Sequence, residues 1–283
     1  MPPRSQPTAR QVRLGAELRK LREAAGMTAR EAAQLMGVNP IQVSQIESGR
    51  AGVSDVRLRR LAAHYACADM ELIDALSAMA TERTRGWWEE YRGVLPALFL
   101  DLSELDHHAQ SLQTIGTTHV PGLLQTPEYA RAIYTFWQPE LPGNEVELRV
   151  EHRMRRAEVL TRENPVPYTA VLHESVLRTH VADRRVTHAQ LAAILVASER
   201  PHVTVRVIPF DVLGFAGAGA TILYATGAVP ALDTAQRDTP NGSLFLDAPA
   251  HLLAMRRLFR RVESMALKPE ESRDLIHRMS KEL

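Results

Sequence analysis

Residues 26–50, GMTAREAAQLMGVNPIQVSQIESGR, limit what this chain can fold into more than any other stretch. Two short helices are written there with their starts and stops. Thr28 and Glu31 stand in T-x-x-E spacing, in which each side chain accepts the other residue's backbone N–H, so a helix starts at that point. Its apolar residues include Ala32, Ala33 and Met36, and Gly37 stops it. Asn39 then caps a further helix with Pro40 at its first position, where a missing N–H costs nothing. Val43 and Ile46 face inward on that helix and Gly49 ends it.

The flanks supply the rest of a small helical domain. Leu14, Leu18, Leu21 and Ala25 form one stripe of a preceding helix that Gly26 terminates. Ser54 or Asp55 can cap a fourth helix carrying Leu58, Leu61 and Tyr65, and Asp69 a fifth carrying Leu72, Ile73 and Leu76. Two short helices joined by residues 37–39, the second presenting polar side chains, make a helix-turn-helix, whose second helix enters the major groove of DNA. By position, Pro40, Ile41, Gln42, Ser44 and Gln45 lie at or near the groove-facing side. Gln42 and Gln45 can pair with adenine, Ser44 can reach a base or a phosphate, and Ile41 can pack on a thymine methyl. Asn39, Arg30 and Arg50 are placed for phosphates, which fix register without reading sequence. Thr28 and Ala29, at the start of the preceding helix, complete the expected DNA-facing set, and Arg4, Arg10 and Arg13 are expected to extend it as a basic arm.

Residues 26–50, ending in Ile46-Glu47-Ser48-Gly49-Arg50, resemble the Xre/Cro-type repressor family. The resemblance implies a buried ion pair between Arg22 and Glu47 that ties the first helix to the end of the third, a structural role rather than a DNA contact. At Pro40 the family often has a polar residue. Its absence removes one base contact and leaves direct readout to Ile41, Gln42, Ser44 and Gln45.

Charge agrees with that placement. Residues 1–60 hold 11 Arg or Lys against 5 Asp or Glu, while the remainder holds 23 against 28, so a net +1 conceals a positive end suited to phosphate and an acidic remainder. Cys67 is the one cysteine, which excludes an intramolecular disulfide and a cysteine-based zinc site and fits a reducing cytoplasm. The Pro/Arg/Gln-rich start lacks the apolar core of a secretory signal, and no stretch approaches the roughly 20 apolar residues of a membrane helix. The eleven histidines form no H-E-x-x-H, and neither G-x-S-x-G nor a phosphate loop occurs. Gly214, Gly217 and Gly219 follow an expected strand without opening a helix, so no dinucleotide fingerprint is present. No catalytic residue, metal site or cofactor is expected, and the chain reads as a regulator rather than an enzyme.

Beyond residue 78 the pattern changes. Residues 81–86 form a polar connection, followed by Trp87, Trp88 and Tyr91, a cluster suited to core or interdomain packing, with a ligand or partner surface as the alternative. Helices are expected near 128–136, 145–162, 188–199, 250–265 and 270–281, with capping boxes at Asn144/Glu147 and Thr187/Gln190. Strands are expected at 168–172, 203–208 and 221–225. His173-Glu174, at a strand end, is the most site-like polar pair. The fold class is multidomain α+β: a five-helix, all-α helix-turn-helix domain (14–78) after a basic arm (1–13), then a linker (79–90) and a mixed α+β domain (91–283) with a small sheet covered by helices.

The words VPGLLQTPEYARA (120–132), HESVLR (173–178), VTVRVIPF (203–210), GSLFLDAPA (242–250) and ALKPEES (266–272) resemble the C-terminal domain of actinobacterial WhiJ-like regulators. At His173 an acidic residue is more usual. The resemblance implies regulation of development or secondary metabolism, with an antitoxin-like C-terminal domain that binds a small protein encoded nearby. The expected partners are therefore double-stranded DNA at an inverted-repeat operator, a second copy of the chain as a homodimer, and either that small protein or a small-molecule effector.

Overall fold

The computed structural model describes residues 6–82, 85–217, 219–239 and 242–283. Two compact units divide the chain, Met1–Leu105 and Asp106–Leu283.

The first unit begins with α1 (Ala9–Ala24), opened by Thr8, whose hydroxyl accepts the Gln11 N–H while the Gln11 side chain accepts the Thr8 N–H. The Thr28/Glu31 box opens α2 (Ala29–Met36), and Gly37 closes it in the left-handed conformation at φ +65°. Asn39 accepts the Gln42 N–H at 2.9 Å and starts α3 (Pro40–Glu47). Ser54 caps α4 (Asp55–His64), and Asp69 caps α5 (Met70–Thr81). Ala32, Ala33, Val43, Leu61 and Tyr65 close over one another as the core beneath α2 and α3. The stripe expected on α1 is only partly realised. Leu18 is buried, Leu14 and Leu21 are half-buried and Ala25 is exposed, because Arg13, Gly15, Glu17 and Arg22 occupy much of the inward face.

Two expectations about this unit need correction. Arg10 and Arg13 do not form an arm: both lie within α1, where Arg13 is buried against Glu17 at 2.8 Å and burial lowers the Arg10 pKa. Arg4 lies outside the described residues, as do Arg83 and Thr84 of the polar connection. Residues 79–90 contain the last turn of α5 and most of a 3-10 turn, Trp87–Tyr91, and the division between the units falls further on, within α6 (Ala97–His108).

The second unit is built on one six-stranded sheet: β1 (Ser111–Gly116), β2 (Tyr168–His173), β3 (Val203–Ile208), β4 (Ile222–Thr226), β5 (Thr234–Thr239) and β6 (Gly242–Leu246), in the spatial order β3-β2-β1-β4-β5-β6. Strands β1, β2 and β3 run parallel, whereas β4, β5 and β6 form an antiparallel meander against β1. Parallel neighbours need helical crossovers. These are α7 (Pro127–Trp137) with α8 (Gly143–Ala157), then α9 (Glu174–Arg178) with α10 (Arg184–Ser198). Ile115, Val171, Ile208, Ile222, Tyr224 and Ala235 share one face with Leu252, Phe259 and Val262 of α11 (Pro249–Ser264). The alternate positions Leu112, Thr114, Ala170 and Leu223 turn to the other face. The open edge of β3 is closed by the chain entering α12 (Pro269–Glu282): Leu267 donates to the Val207 carbonyl at 2.8 Å, and the buried Ser272 hydroxyl accepts the Val207 N–H.

The fold is thus multidomain α+β, with corrections at two helix starts. The Asn144/Glu147 box does not form, since α8 begins two residues earlier, behind Pro142, and Glu147 pairs instead with Arg131. Asp183 caps α10 a turn before Thr187, leaving Gln190 to bridge the Thr126 N–H and the Leu124 carbonyl.

On α8, His152 is 2% exposed, and its pKa is pushed down to about 4, first by burial and then by the charges of Arg156, Arg153 and Arg155. An unfolded histidine near 6.5 binds protons that the folded one refuses, so this contribution to stability is complete above pH 6.5 and lost as pH falls toward 4. Urea titrations at stepped pH should show the unfolding midpoint falling over that window, and falling less steeply in His152→Gln. Equal slopes in the two proteins would show that His152 carries none of the effect.

Candidate nucleic-acid interface

The position of α3 is set where α1 crosses its C-terminal end. Gly15, inside α1, lies so close to α3 that a Cβ there would sit 2.5 Å from the carbonyl oxygens of Ile46 and Glu47. Gly49 combines a φ of +74° with the same crowding from the opposite side, 2.7 Å from the Gln11 backbone. Arg22 fastens the joint with Nε and Nη2 on the two Glu47 oxygens at 2.6 and 3.0 Å, and Nη1 on the Met27 carbonyl at 2.6 Å. Both side chains are about nine-tenths buried, and the hydrogen bond to Glu47 raises the Arg22 pKa further. Tyr65, beside them in the core, has its hydroxyl pKa pushed up to about 12, by burial first and the Glu47 charge second.

With α3 held from behind, its other side is open. Ile41 is 67% exposed, Pro40 and Ser44 are exposed, and Gln42 and Gln45 are half-buried. Residues 41, 44 and 45 follow helical spacing on the side opposite the buried Val43 and Ile46. Thr28, Arg30, Asn39 and Arg50 are exposed, and among the described residues neither Arg30 nor Arg50 enters an ion pair. The hydroxyl of Thr28 and the carbonyl of Asn39's side chain already serve as caps, so their further hydrogen-bonding capacity is reduced. Ala29 departs from the expected set: it packs against the core beneath α2 and leaves the rim to its neighbours.

The expected ligand or partner surface does not form as one patch. Trp88 and Tyr91 are 3% and 5% exposed, and half-buried Trp87 meets both edge-on at 6.0 Å, so the cluster is a packing feature. Glu174 is buried too: its carboxylate accepts the Phe210 N–H at 2.9 Å and Arg178 Nε at 2.6 Å. Burial pushes its pKa upward, but those two donors outweigh it and hold the group below the usual range. His173 caps α9 through the Ser175 N–H, and its ring stacks on Phe215 and meets Phe210 edge-on. Among the described residues no three His, Cys, Asp or Glu side chains are grouped to hold a metal ion.

Residues 13–76 match the model of a helix-turn-helix domain, and residues 99–278, well over half of the chain, match a domain of unknown function (DUF5753). The chain belongs to the DUF5753 family. Its helix-turn-helix domain makes it a DNA-binding regulator. No curated protein and no solved structure matches it, and no described helix is long and apolar enough to cross a membrane.

Within the DUF5753 region each of the five words quoted above occupies a defined place. Residues 120–132 leave β1 and begin α7; 173–178 span the end of β2 and α9; 203–210 are β3 and its exit; 242–250 are β6 and the start of α11; and 266–272 close the β3 edge. Gly15 escaped the sequence reading because a glycine inside a helix has no local signal, and Gly49 was read only as a terminator. Their common property is proximity to a distant backbone.

Removing one member of a buried pair strands the other's charge. Arg22→Ala should therefore destabilise the first unit by about 3 kcal/mol. Arg22→Met combined with Glu47→Leu should regain most of that loss. Urea unfolding followed by circular dichroism measures both, and a double variant as weak as the single one would locate the stabilisation elsewhere.

Proposed function

We propose that this chain is a sequence-specific transcriptional regulator that binds an inverted-repeat operator as a homodimer, through α3 in the major groove. The DUF5753 unit is its receptor for a signal or a small partner protein. The observation that carries this reading is the division of α3 into two sides. One side is locked against α1 by Gly15, Gly49 and the Arg22–Glu47 pair, and the other offers Ile41, Gln42, Ser44 and Gln45. Arg30 and Arg50, with Asn39, supply phosphate contacts that set register. Dimerisation is favoured because one such module reaches too few base pairs for useful specificity. The order of words resembling WhiJ-like regulators supports a role in development or secondary metabolism.

Footprinting of the purified protein on its operator should reveal two half-sites about 34 Å apart, one helical turn. Protection of a lone half-site by a monomer would overturn the dimeric reading. Gln45→Ala should lose about 1–3 kcal/mol at a single base position and relax specificity there. Arg50→Ala should weaken binding on all sequences alike and flatten its salt dependence. Binding titrations on an operator series at stepped salt separate the two. Uniform loss for Gln45→Ala, or an unchanged salt slope for Arg50→Ala, would reassign those residues.

A further inference from the structure

The two edges of the six-stranded sheet are finished differently. At β3 the chain itself closes the edge, through Leu267 and Ser272 on Val207. At β6, among the described residues, no backbone hydrogen bond reaches the outer side of residues 243–246. Which groups stand there follows from the neighbouring strand. The Asp238 N–H donates to the Thr221 carbonyl at 3.2 Å, so the Asp238 backbone points toward β4 and away from β6. Ser243 stands opposite Asp238 in the register of β5 and β6. Residues opposite one another in an antiparallel pair either both bond across it or both turn away, and the pattern alternates along the strand. Leu244 and Leu246 therefore bond to β5, whereas Ser243 and Phe245 turn their N–H and C=O groups outward.

Such a row of groups pairs readily with another strand, and sheet edges are commonly blunted by lysine, proline or a bulge. β6, Gly242-Ser243-Leu244-Phe245-Leu246, has none of these: it holds no charge and no proline, and its register with β5 is unbroken. The side chains agree. Leu246 packs on the core shared with α11, and Leu244, on the same face, continues that apolar surface to the margin, where it is 52% exposed beside Arg237.

We propose that the second unit dimerises through β6, paired antiparallel with β6 of a second copy about a two-fold axis at Leu244, which joins the two six-stranded sheets into one. A two-fold axis sets an edge strand against itself, so the surface must complement itself. Centred on Leu244, it places that side chain against its own copy, in a non-hydrogen-bonded pair with Cα atoms about 4.5 Å apart. Ser243 of each copy then exchanges its outward hydrogen bonds with Phe245 of the other. Because residues 242–246 carry no charge, the pairing opposes no like charges. The assignment rests on the homodimer reading above and gives that dimer its contact surface.

Sedimentation equilibrium of the full chain without DNA measures the dimer, with circular dichroism as the check on folding. The parent should be dimeric. Phe245→Pro removes an N–H that β5 does not use, and edge strands tolerate proline at such a position. Leu244→Glu sets a carboxylate beside Arg237 of its own chain and against itself across the axis. Each should fold and raise the dimer Kd at least tenfold. Mixing Leu244→Glu with Leu244→Lys should restore a dimer with one chain of each kind. Leu244→Cys, in a Cys67→Ser background, should be linked to itself by oxidised glutathione, since that separation suits a disulfide. It carries the test if the other variants do not fold. A monomeric parent would overturn this assignment and the homodimer reading together. A dimeric parent would keep that reading but lose this one on any of three results: folded variants that associate like the parent, a charge-swapped mixture that stays monomeric, or no cross-link through position 244. The β6 edge would then be left to a strand of another protein.

Discussion

Where α1 crosses the end of α3, two backbones come into near contact, and everything the first unit offers to a partner depends on that crossing. Gly15 permits it from within α1, Gly49 from the turn that follows α3, and the Arg22–Glu47 pair fixes its angle by two hydrogen bonds with the correct fork geometry. The pair contributes orientation more than net stability, since buried charges lose in hydration much of what they gain from one another. The apolar core of Ala32, Ala33, Val43, Leu61 and Tyr65 then fills the space that the crossing leaves. Small residues on α2 are part of the same solution, because they let α3 approach from the other side.

How much could be read in advance depended on whether the relevant signal was local. Caps and stops are local: Thr28/Glu31, Gly37, Asn39-Pro40, Ser54 and Asp69 each do in the structure what their chemistry dictates. The strand 203–208 was legible for the same reason, with its valines alternating toward one face. In contrast, β1 was missed because it lies between a parallel and an antiparallel neighbour and is buried on both faces, so Leu112, Thr114, Ile115 and Gly116 show no alternation. β5 was missed because its outer half, Arg237-Asp238-Thr239, is polar and exposed. The two failed capping boxes have one cause: each helix starts before its box, behind Pro142 and at the Asp183 cap, which leaves Glu147 to pair with Arg131 and Gln190 with the loop before α7.

The candidate sites divide in the same way. Helical spacing alone separates the outward Ile41 and Ser44 from the inward Val43 and Ile46, so the α3 rim was visible in the sequence. Burial was not. Trp88, Tyr91 and Glu174 have the residue types of a binding surface, yet all three are buried, and Glu174 is held by the Phe210 N–H from the far end of β3.

The two-sided construction of α3 also bears on how such a regulator can diverge. Substitutions at Ile41 or Ser44 alter a surface that the fold does not use, whereas Gly15 and Gly49 accept no larger residue without moving a backbone. After gene duplication, copies of the chain could therefore drift toward new targets one outward residue at a time, with the scaffold unchanged. On the proposed reading, recognition is the cheap variable in this architecture, and the crossing behind it is the fixed inheritance.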